Sequence, residues 1–287
     1  MVTTAETAPR LWCVVLSWNG RNDTLACLKS LLLSRYDGLR IVVVDNASTD
    51  GSADAVRAAF PDIPLIENSE NLRWAGGNNV GIRYAMEQGA DYILLLNNDI
   101  EVDAEMIARL AQAASELPEA GILAPKIYYA AQPDVIWYAG GGVSLWRGLF
   151  WHDGIREKDV GQFEKARDVD YITGCAMLIR RAVLEQIGEL DERFYLYGED
   201  VDYSLRAKAS GYRLRLVPGA TMRHKVSASL GPTSLRKFLI RTRSNLRLYR
   251  KYAPVWSWFT TIPIFAVLDA VRAALLLVTG KLSRLKS

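Results

Sequence analysis

The sequence predicts an α/β protein with a mostly parallel, doubly wound sheet, and three observations carry that expectation. Short apolar runs of strand length recur at residues 11–17, 40–45, 64–67 and 93–96, each bounded by turn or polar residues. Stretches with helical spacing of apolar residues alternate with those runs, as in a β-α-β chain. The chain has 287 residues and is half apolar, which suits one large α/β domain or two small ones.

Residues 11–17 (LWCVVLS) read as a buried strand. Trp18-Asn19-Gly20 turns the chain, and Leu25, Leu28, Leu31 and Leu32 mark a helix. Residues 40–45 (RIVVVD) form a second buried strand, after which Ser48, Thr49 or Asp50 can cap the next helix. A short strand comes next at 64–67, then the run Asn71 to Gly81 leading into a helix to about Gln88. The fourth strand, Ile93 to Leu96, ends abruptly in Asn97-Asn98-Asp99. In an open α/β sheet the ligand crevice lies outside the carboxyl ends of the strands. An acid held there can carry a divalent metal and, through it, a phosphate. A polar strand-to-helix turn is the alternative reading of these three residues.

Two common nucleotide-binding classes are excluded by their missing glycine motifs. The first strand runs into Ser17-Trp-Asn-Gly-Arg-Asn22 with a single glycine, whereas a dinucleotide fold needs G-x-G-x-x-G there. No Walker A motif occurs.

Further along, a helix is expected over 103–117 and a strand over 121–126. Residues 128–170 are rich in aromatics and glycine (Trp137, Gly140, Gly141, Gly142, Trp146, Phe150, Trp151) and lack helical period. They read as a long irregular loop or lid, whose aromatic faces serve either sugar rings or local core. Residues 169–180 read as a strand broken at Gly174, where a backbone could approach a ligand. Glu199 and Asp200 open a helix running to about Ser210. They are either favourable helix-dipole residues or carboxylates placed to take a proton from a bound hydroxyl. His224, one of two histidines, comes after a strand near 212–217 and lies between Arg223 and Lys225, cations that favour its neutral, metal-binding form.

The three cysteines, Cys13, Cys27 and Cys175, are widely spaced in apolar runs and suggest neither a disulfide framework nor a metal cluster. Residues 1–10 carry no apolar stretch of the kind a secretory leader needs. The net charge of +3 conceals an asymmetry: no acid occurs between Asp202 and Asp269, while arginines and lysines crowd that interval. Such a split suggests an anionic partner for the back of the chain.

Taken in order, these stretches resemble a family 2 inverting glycosyltransferase of the GT-A fold, in its bacterial rhamnosyltransferase-like branch. The resemblance rests on Ser17-Trp-Asn19, Val44 to Gly51, Asn71 to Asn79, Leu96-Asn-Asn-Asp99, Gly174 to Arg180, Leu190-Asp191, Tyr197-Gly-Glu-Asp-Val-Asp202 and Arg223-His-Lys225. It implies a GT-A domain over residues 1–230, with a nucleotide-binding half at about 10–126 and an acceptor-binding half at about 127–230. It also implies roles. Asp45 would accept a hydrogen bond from the base, and Ser17 with the Asn71–Arg73 turn would line the nucleoside pocket, Asn78 and Asn98 being close by. Asp99 would hold Mg²⁺ or Mn²⁺ against the donor diphosphate, with His224 as second ligand. Asp200 would be the general base, with Glu199 supporting it. Asn97 departs from the family pattern, which carries Asp there, and leaves Asp99 as the one anionic ligand. The donor would be a dTDP or UDP sugar, with rhamnose favoured over galactofuranose, N-acetylglucosamine or another hexose. The acceptor would be a glycan or lipid-linked glycan of the cell envelope.

Residues 231–287 form a basic and apolar helical extension in this reading. Leu235, Leu239, Leu246 and Tyr249 fall partly on one side of a helix ending at Tyr252, and an uncharged stretch with Trp256, Trp258 and Phe259 comes after it. Pro263, Asp269 and Arg272 interrupt any clean span. An interfacial helix on anionic lipid at the inner face of the cell membrane is preferred, ahead of homo-oligomer packing and of a true span. The protein is therefore expected in the cytoplasm at that surface. Nucleic-acid binding lacks a helix-turn-helix, zinc or RNA-recognition signature, and a non-catalytic sugar-nucleotide or anionic-polymer binding protein is the remaining alternative.

Overall fold

A computed structural model describes residues 8–146, 149–194, 196–226 and 235–259, with positions 263, 267 and 270. The elements run β1 (Leu11–Ser17), α1 (Arg21–Leu32), β2 (Leu39–Asp45), α2 (Ser52–Ala59), β3 (Leu65–Glu67), α3 (Arg73–Glu87), β4 (Tyr92–Asn97), β5 (Ile100–Val102) and α4 (Met106–Glu116). Then come β6 (Ala120–Tyr129), β7 (Gln132–Tyr138), β8 (Gly141–Ser144), β9 (Leu149–His152), β10 (Arg167–Asp168), β11 (Ala176–Arg180), α5 (Arg181–Ile187), α6 (Glu199–Ala209), β12 (Arg213–His224) and α7 (Leu235–Tyr252). The boundary expected near residue 230, and all but isolated positions of the stretch beyond 259, lie outside the described residues.

The main sheet is mixed and flanked by helices, with strand order β10-β12-β6-β11-β4-β1-β2-β3. Its front half is parallel: β1 pairs with β2 and β4, and β2 with β3. These strands are buried almost throughout, which is why their sequences read as continuous apolar runs rather than alternating ones. β11 then runs antiparallel between β4 and β6, and β12 returns parallel to β6. Helix α3 sits on β1 through small residues, and a Cβ added at Gly81 would run into the side chain of Val14.

Two regions differ from the sequence expectation. Residues 128–170 are not irregular; they form β7, which extends the main sheet, and a β8–β9 hairpin. The glycines are there to make room. Gly142 faces Trp151 across the hairpin, and the indole lies where a Cβ of residue 142 would be. The strand expected over 169–180 is confined to Ala176–Arg180. Before it, the chain leaves the sheet, with Ile172 N–H donating to Ser204 Oγ at 3.0 Å.

The charge asymmetry is resolved in part by long-range pairing. Lys225 lies 3.2 Å from Asp23 and 3.5 Å from Glu101, Arg213 and Arg215 share Asp168, and Lys208 pairs with Asp170. Acids between residues 23 and 170 thus pair with cations of residues 208–225, while Arg241, Arg243 and Arg250 are exposed on α7. Among the described side chains of α7, Ser244, Leu248 and Tyr249 are buried, while Leu239 is exposed. The packed stripe therefore keeps Tyr249 but is turned away from Leu239, which the sequence placed on the same side. Among the described residues no helix is long and apolar enough to cross a membrane.

Substituting Gly81 with alanine forces a methyl group into the stiff, fully buried Val14 and lowers stability by about 1–3 kcal/mol. Thermal denaturation checks this, and a melting temperature within about 1 °C of wild type would mean that the α3–β1 contact has room.

Candidate active site

Three strand ends form one line at the carboxyl edge of the sheet. Ser17 pairs with Asp45 across β1 and β2, and Leu16 pairs with Asn97 across β1 and β4. On the far side of β4, Asn97 N–H donates to Cys175 O at 3.2 Å, in the segment just before β11. The register alone therefore gathers residues 17, 45, 97 and 175.

At one end of this line, Asp45 is buried. Its Oδ1 accepts Ser48 N–H at 2.8 Å, and its Oδ2 is buried with no hydrogen-bond partner. A buried carboxylate oxygen left unpaired costs free energy unless a ligand donor reaches it. Ser17 is fully buried and shares a hydrogen bond of 2.8 Å with Thr24, which also accepts from Asn98 Nδ2 at 2.9 Å. Ser17 and Asn98 are thus joined through Thr24 at the start of α1. Gly20 completes this corner, because a Cβ there would collide with the Asn98 amide.

The Asn71–Arg73 turn is held by Asn46, which no sequence pattern singles out. Asn46 Nδ2 donates to Asn71 Oδ1 (3.1 Å) and Arg73 O (3.0 Å), and its Oδ1 accepts from Asn68 Nδ2 and Leu72 N–H, both at 3.0 Å. Asn71 Oδ1 also accepts Arg73 N–H at 2.8 Å, and Arg73 takes a left-handed φ of 66°. Asn78 is buried; its Nδ2 donates to Trp74 O at 2.9 Å, while its Oδ1 is buried without a partner.

Trp74 is a second residue that sequence reasoning misses, although it lies inside the Asn71–Asn79 stretch. Its Nε1–H donates to Asn97 Oδ1 at 3.0 Å, and its ring occupies the space beside Gly174, where a Cβ would sit 2.6 Å from Cζ2. Gly174 is therefore small to admit the indole, and its N–H donates to Asp200 Oδ2 at 3.0 Å. Asn97, Trp74, Gly174 and Asp200 form one continuous path from β4 to α6. The signal in the sequence is a tryptophan among glycines and asparagines, which spacing alone does not interpret.

Asp99 and His224 come together at the end of β12. His224 Nε2 lies 3.2 Å from Asp99 Oδ1, and Lys225 N–H donates to Asp99 O at 2.9 Å. The imidazole also meets Trp137 edge to face, with centroids 4.5 Å apart. The neutral histidine expected from its cationic neighbours is not what the geometry favours. Burial opposes the charge, but Cys175 and Asp99 beside the ring outweigh it and raise the pKa to about 10. Lys225, meanwhile, is directed to Asp23 and Glu101.

The pair offers one carboxylate oxygen and, once a bound cation has displaced the His224 proton, one imidazole nitrogen. That set suits Mg²⁺ or Mn²⁺ when phosphate oxygens and water complete the shell, the usual arrangement where a cation binds through one or two protein groups. Among the described residues no cluster of three or more His, Cys, Asp or Glu side chains that could hold a metal is present.

Glu199 and Asp200 open α6, where the helix dipole favours negative charge. Asp200 is half-buried; its Oδ1 accepts Val201 N–H at 2.8 Å and its Oδ2 the Gly174 N–H. Burial pushes its carboxyl up, against the pull of those two backbone donors. Glu199 is more deeply buried and its Oε2 has no partner. Burial, and then the charge of Asp200, push Glu199 up to about 8. The two titrate as a pair. The deeper burial of Glu199 favours placing a shared proton there and the charge on half-buried Asp200, a division that equips one carboxylate to act as base.

The fold and this strand-end site define a glycosyltransferase of the GT-A type. The chain belongs to glycosyl transferase family 2, whose sequence profile matches residues 12–188. It is 29% identical over 226 residues to the N-acetylglucosaminyl-diphospho-decaprenol L-rhamnosyltransferase of Mycobacterium tuberculosis, covering 71% of this chain and 72% of that one. A low-salt glycan biosynthesis hexosyltransferase of Haloferax volcanii is 31% identical over 179 residues, covering 62% of this chain and 56% of its own. In fold the chain is similar to a mannosyltransferase of Pyrobaculum calidifontis solved with GDP-Man and Mn²⁺, with a TM-score of 0.60, 20% identity, and coverage of 96% of this chain and 81% of the other.

The proton on Glu199 has a consequence for stability. Its pKa lies near 4.5 in the unfolded chain and about 8 in the fold, so between those values the folded state binds more protons and stability falls as pH rises. Glu199→Gln removes that loss: its melting temperature relative to wild type is higher at pH 8.5 than at pH 5, by at least ~2 °C. A difference independent of pH in calorimetric scans would remove the protonated Glu199.

Proposed function

We propose that the protein transfers a sugar, with rhamnose favoured, from a dTDP or UDP sugar to a hydroxyl of a lipid-linked or glycan acceptor, with inversion at the anomeric carbon. The observation that carries the reading is the Asp200 carboxylate, fixed by two backbone N–H groups on the same sheet edge as the Asp99–His224 pair and the unpaired Asp45 oxygen. A mycobacterial relative named as a rhamnosyltransferase acting on a diphospho-decaprenol supports the donor and acceptor class. Mn²⁺ in the similar mannosyltransferase supports a divalent cation.

In this reading Asp45 Oδ2 accepts the imide N–H of a pyrimidine, which uracil and thymine share. Ser17, Asn98 and the Asn46-braced turn of Asn71 and Arg73 shape the nucleoside pocket, with Asn78 close behind. Asp99 and His224 hold Mg²⁺ or Mn²⁺, which supplies charge neutralisation for the departing diphosphate. Asp200 removes the acceptor proton as the acceptor oxygen attacks from the face opposite the diphosphate. One bond forms at the anomeric carbon as the bond to the diphosphate breaks, so no covalent enzyme nucleophile is needed. Protonated Glu199 keeps a second negative charge out of the site. A carboxylate in this role contributes typically about 10²–10⁴-fold.

Asp200→Asn therefore lowers transfer from dTDP-rhamnose to N-acetylglucosaminyl-diphospho-polyprenol by about 10²–10⁴-fold while nucleotide binding, followed by calorimetry, is kept. Near-normal turnover of that variant would take the base role from Asp200.

Work at a bilayer surface is part of the same reading. Val255, Trp256 and Phe259 are exposed beyond the end of α7, and Arg241, Arg243 and Arg250 are exposed along it. Apolar anchors beside cations suit an anionic interface. Full-length protein floats with vesicles containing anionic lipid, and a chain truncated after Tyr252 does not; equal flotation of the two would count against membrane docking.

A further inference from the structure

The family match ends at residue 188, before both α6 and α7, and helix α7 is bound to the segment that carries Asp200. Asp202, two residues on, is fully buried and receives three donors: Arg206 Nε at 3.0 Å, Lys251 Nζ at 2.6 Å and Tyr252 Oη at 2.8 Å. Two of those donors come from the last turn of α7. A carboxylate removed from water in this way is stable only while its cations stay in place. Arg206 is engaged a second time, donating to Ile187 O at 2.7 Å and Glu189 O at 2.6 Å.

The loop before α6 is held by the same helix. Ser244 Oγ donates to Leu196 O at 2.8 Å, and Arg247 donates to Arg193 O. Leu248 is fully buried against Tyr171, Phe194 and Val201. It also lies under Gly198, whose φ of +90° starts α6 and where a Cβ would come within 2.9 Å of Leu248 Cδ1. On the other flank, Tyr249 stacks on Phe150 of β9 with centroids 6.4 Å apart. α7 thus holds the loop before Asp200, the helix turn after it and the hairpin beside it.

From this juxtaposition we infer that α7 is a latch that positions the catalytic carboxylate: Lys251 and Tyr252, acting through buried Asp202, set where Asp200 stands. None of these three side chains touches the reacting atoms. They are positioning residues, and the role rests on Asp200 being the base. Displacing a catalytic group by a fraction of its reach is costly because a reacting pair must meet at near-contact distance. The ammonium of Lys251 also counters a charge that would otherwise be buried within two residues of the base.

The test compares four full-length variants: Lys251→Met, Tyr252→Phe, Lys251→Met combined with Asp202→Asn, and Asp200→Asn as reference. Transfer from dTDP-rhamnose is followed at varied donor concentration, and amide hydrogen exchange is read over residues 194–202. Lys251→Met is expected to lose about 10- to 100-fold in kcat, with donor KM changed less than about twofold, and to exchange faster over 194–202. Tyr252→Phe shows a smaller loss of the same kind. Adding Asp202→Asn removes the other end of the same contact, so the double variant loses little more kcat than Lys251→Met alone. Wild-type kcat and exchange in Lys251→Met and Tyr252→Phe, with Asp200→Asn inactive, would overturn the latch and leave the base reading standing. Losses that add in the double variant would overturn it too, since Lys251 would then act by a route other than Asp202. Full turnover of Asp200→Asn would instead refute the base, and the latch with it as a catalytic device; faster exchange in Lys251→Met would then report packing alone.

Discussion

The register of β1 against its two neighbours is the constraint on which the site depends. Because Ser17 stands beside Asp45 and Leu16 beside Asn97, the chain leaves three adjacent strands at one level. Residues that are far apart in sequence are then brought to one edge of the sheet without any loop having to reach for another. The strands are buried on both faces, and slipping the pairing by one residue would cost the packing of every apolar side chain along them. The core fixes the site's geometry before any polar contact is made.

Polar side chains then convert that alignment into fixed positions. Asn46 braces one turn with four hydrogen bonds, and Trp74 spans from Asn97 to the backbone that anchors Asp200. Asn97 makes sense in this light. Its oxygen is used to hold an indole, a task that does not need a negative charge, so replacing the family's usual Asp leaves the scaffold intact. Of the seven buried side-chain polar atoms without partners among the described residues, those on Asp45, Asn78, Glu199 and His224 belong to the candidate site, and those on Ser34, Tyr203 and Arg215 lie elsewhere. Buried groups in a well-packed fold are normally satisfied, so this concentration supports a place where a ligand supplies the missing partners.

Much of the architecture is legible in the sequence. β1 and α7 carry the boundaries read from their patterns, and the parallel front half is expected from apolar runs alternating with helices. Asp99 and His224 lie over a hundred residues apart in sequence and meet in space, as their resemblance-based pairing requires. Other features are hidden for physical reasons. The hairpin at 141–152 reads as irregular because its glycines exist to receive aromatic rings across the pair, a contact that no local period records. The charge of His224 depends on Cys175 and Asp99, not on the adjacent cations that sequence shows. Likewise Arg213, Arg215 and Lys225 look unpaired in sequence because their acids lie well earlier in the chain.

The same long-range logic applies to the two ends of the proposed chemistry. One end joins β4 to β12 through Asp99 and His224; the other joins α6 to the strand-end line through Gly174. The central claim is that the first of these holds a divalent cation against a nucleoside diphosphate. Electron spin-echo spectroscopy of the protein with Mn²⁺ and dTDP addresses it directly, since a directly bound imidazole nitrogen modulates the manganese echo. The account predicts a nitrogen coupling in the wild type that disappears in His224→Ala and a manganese affinity that collapses in Asp99→Asn. Manganese bound with dTDP but showing no nitrogen coupling, or an identical spectrum from His224→Ala, would contradict it.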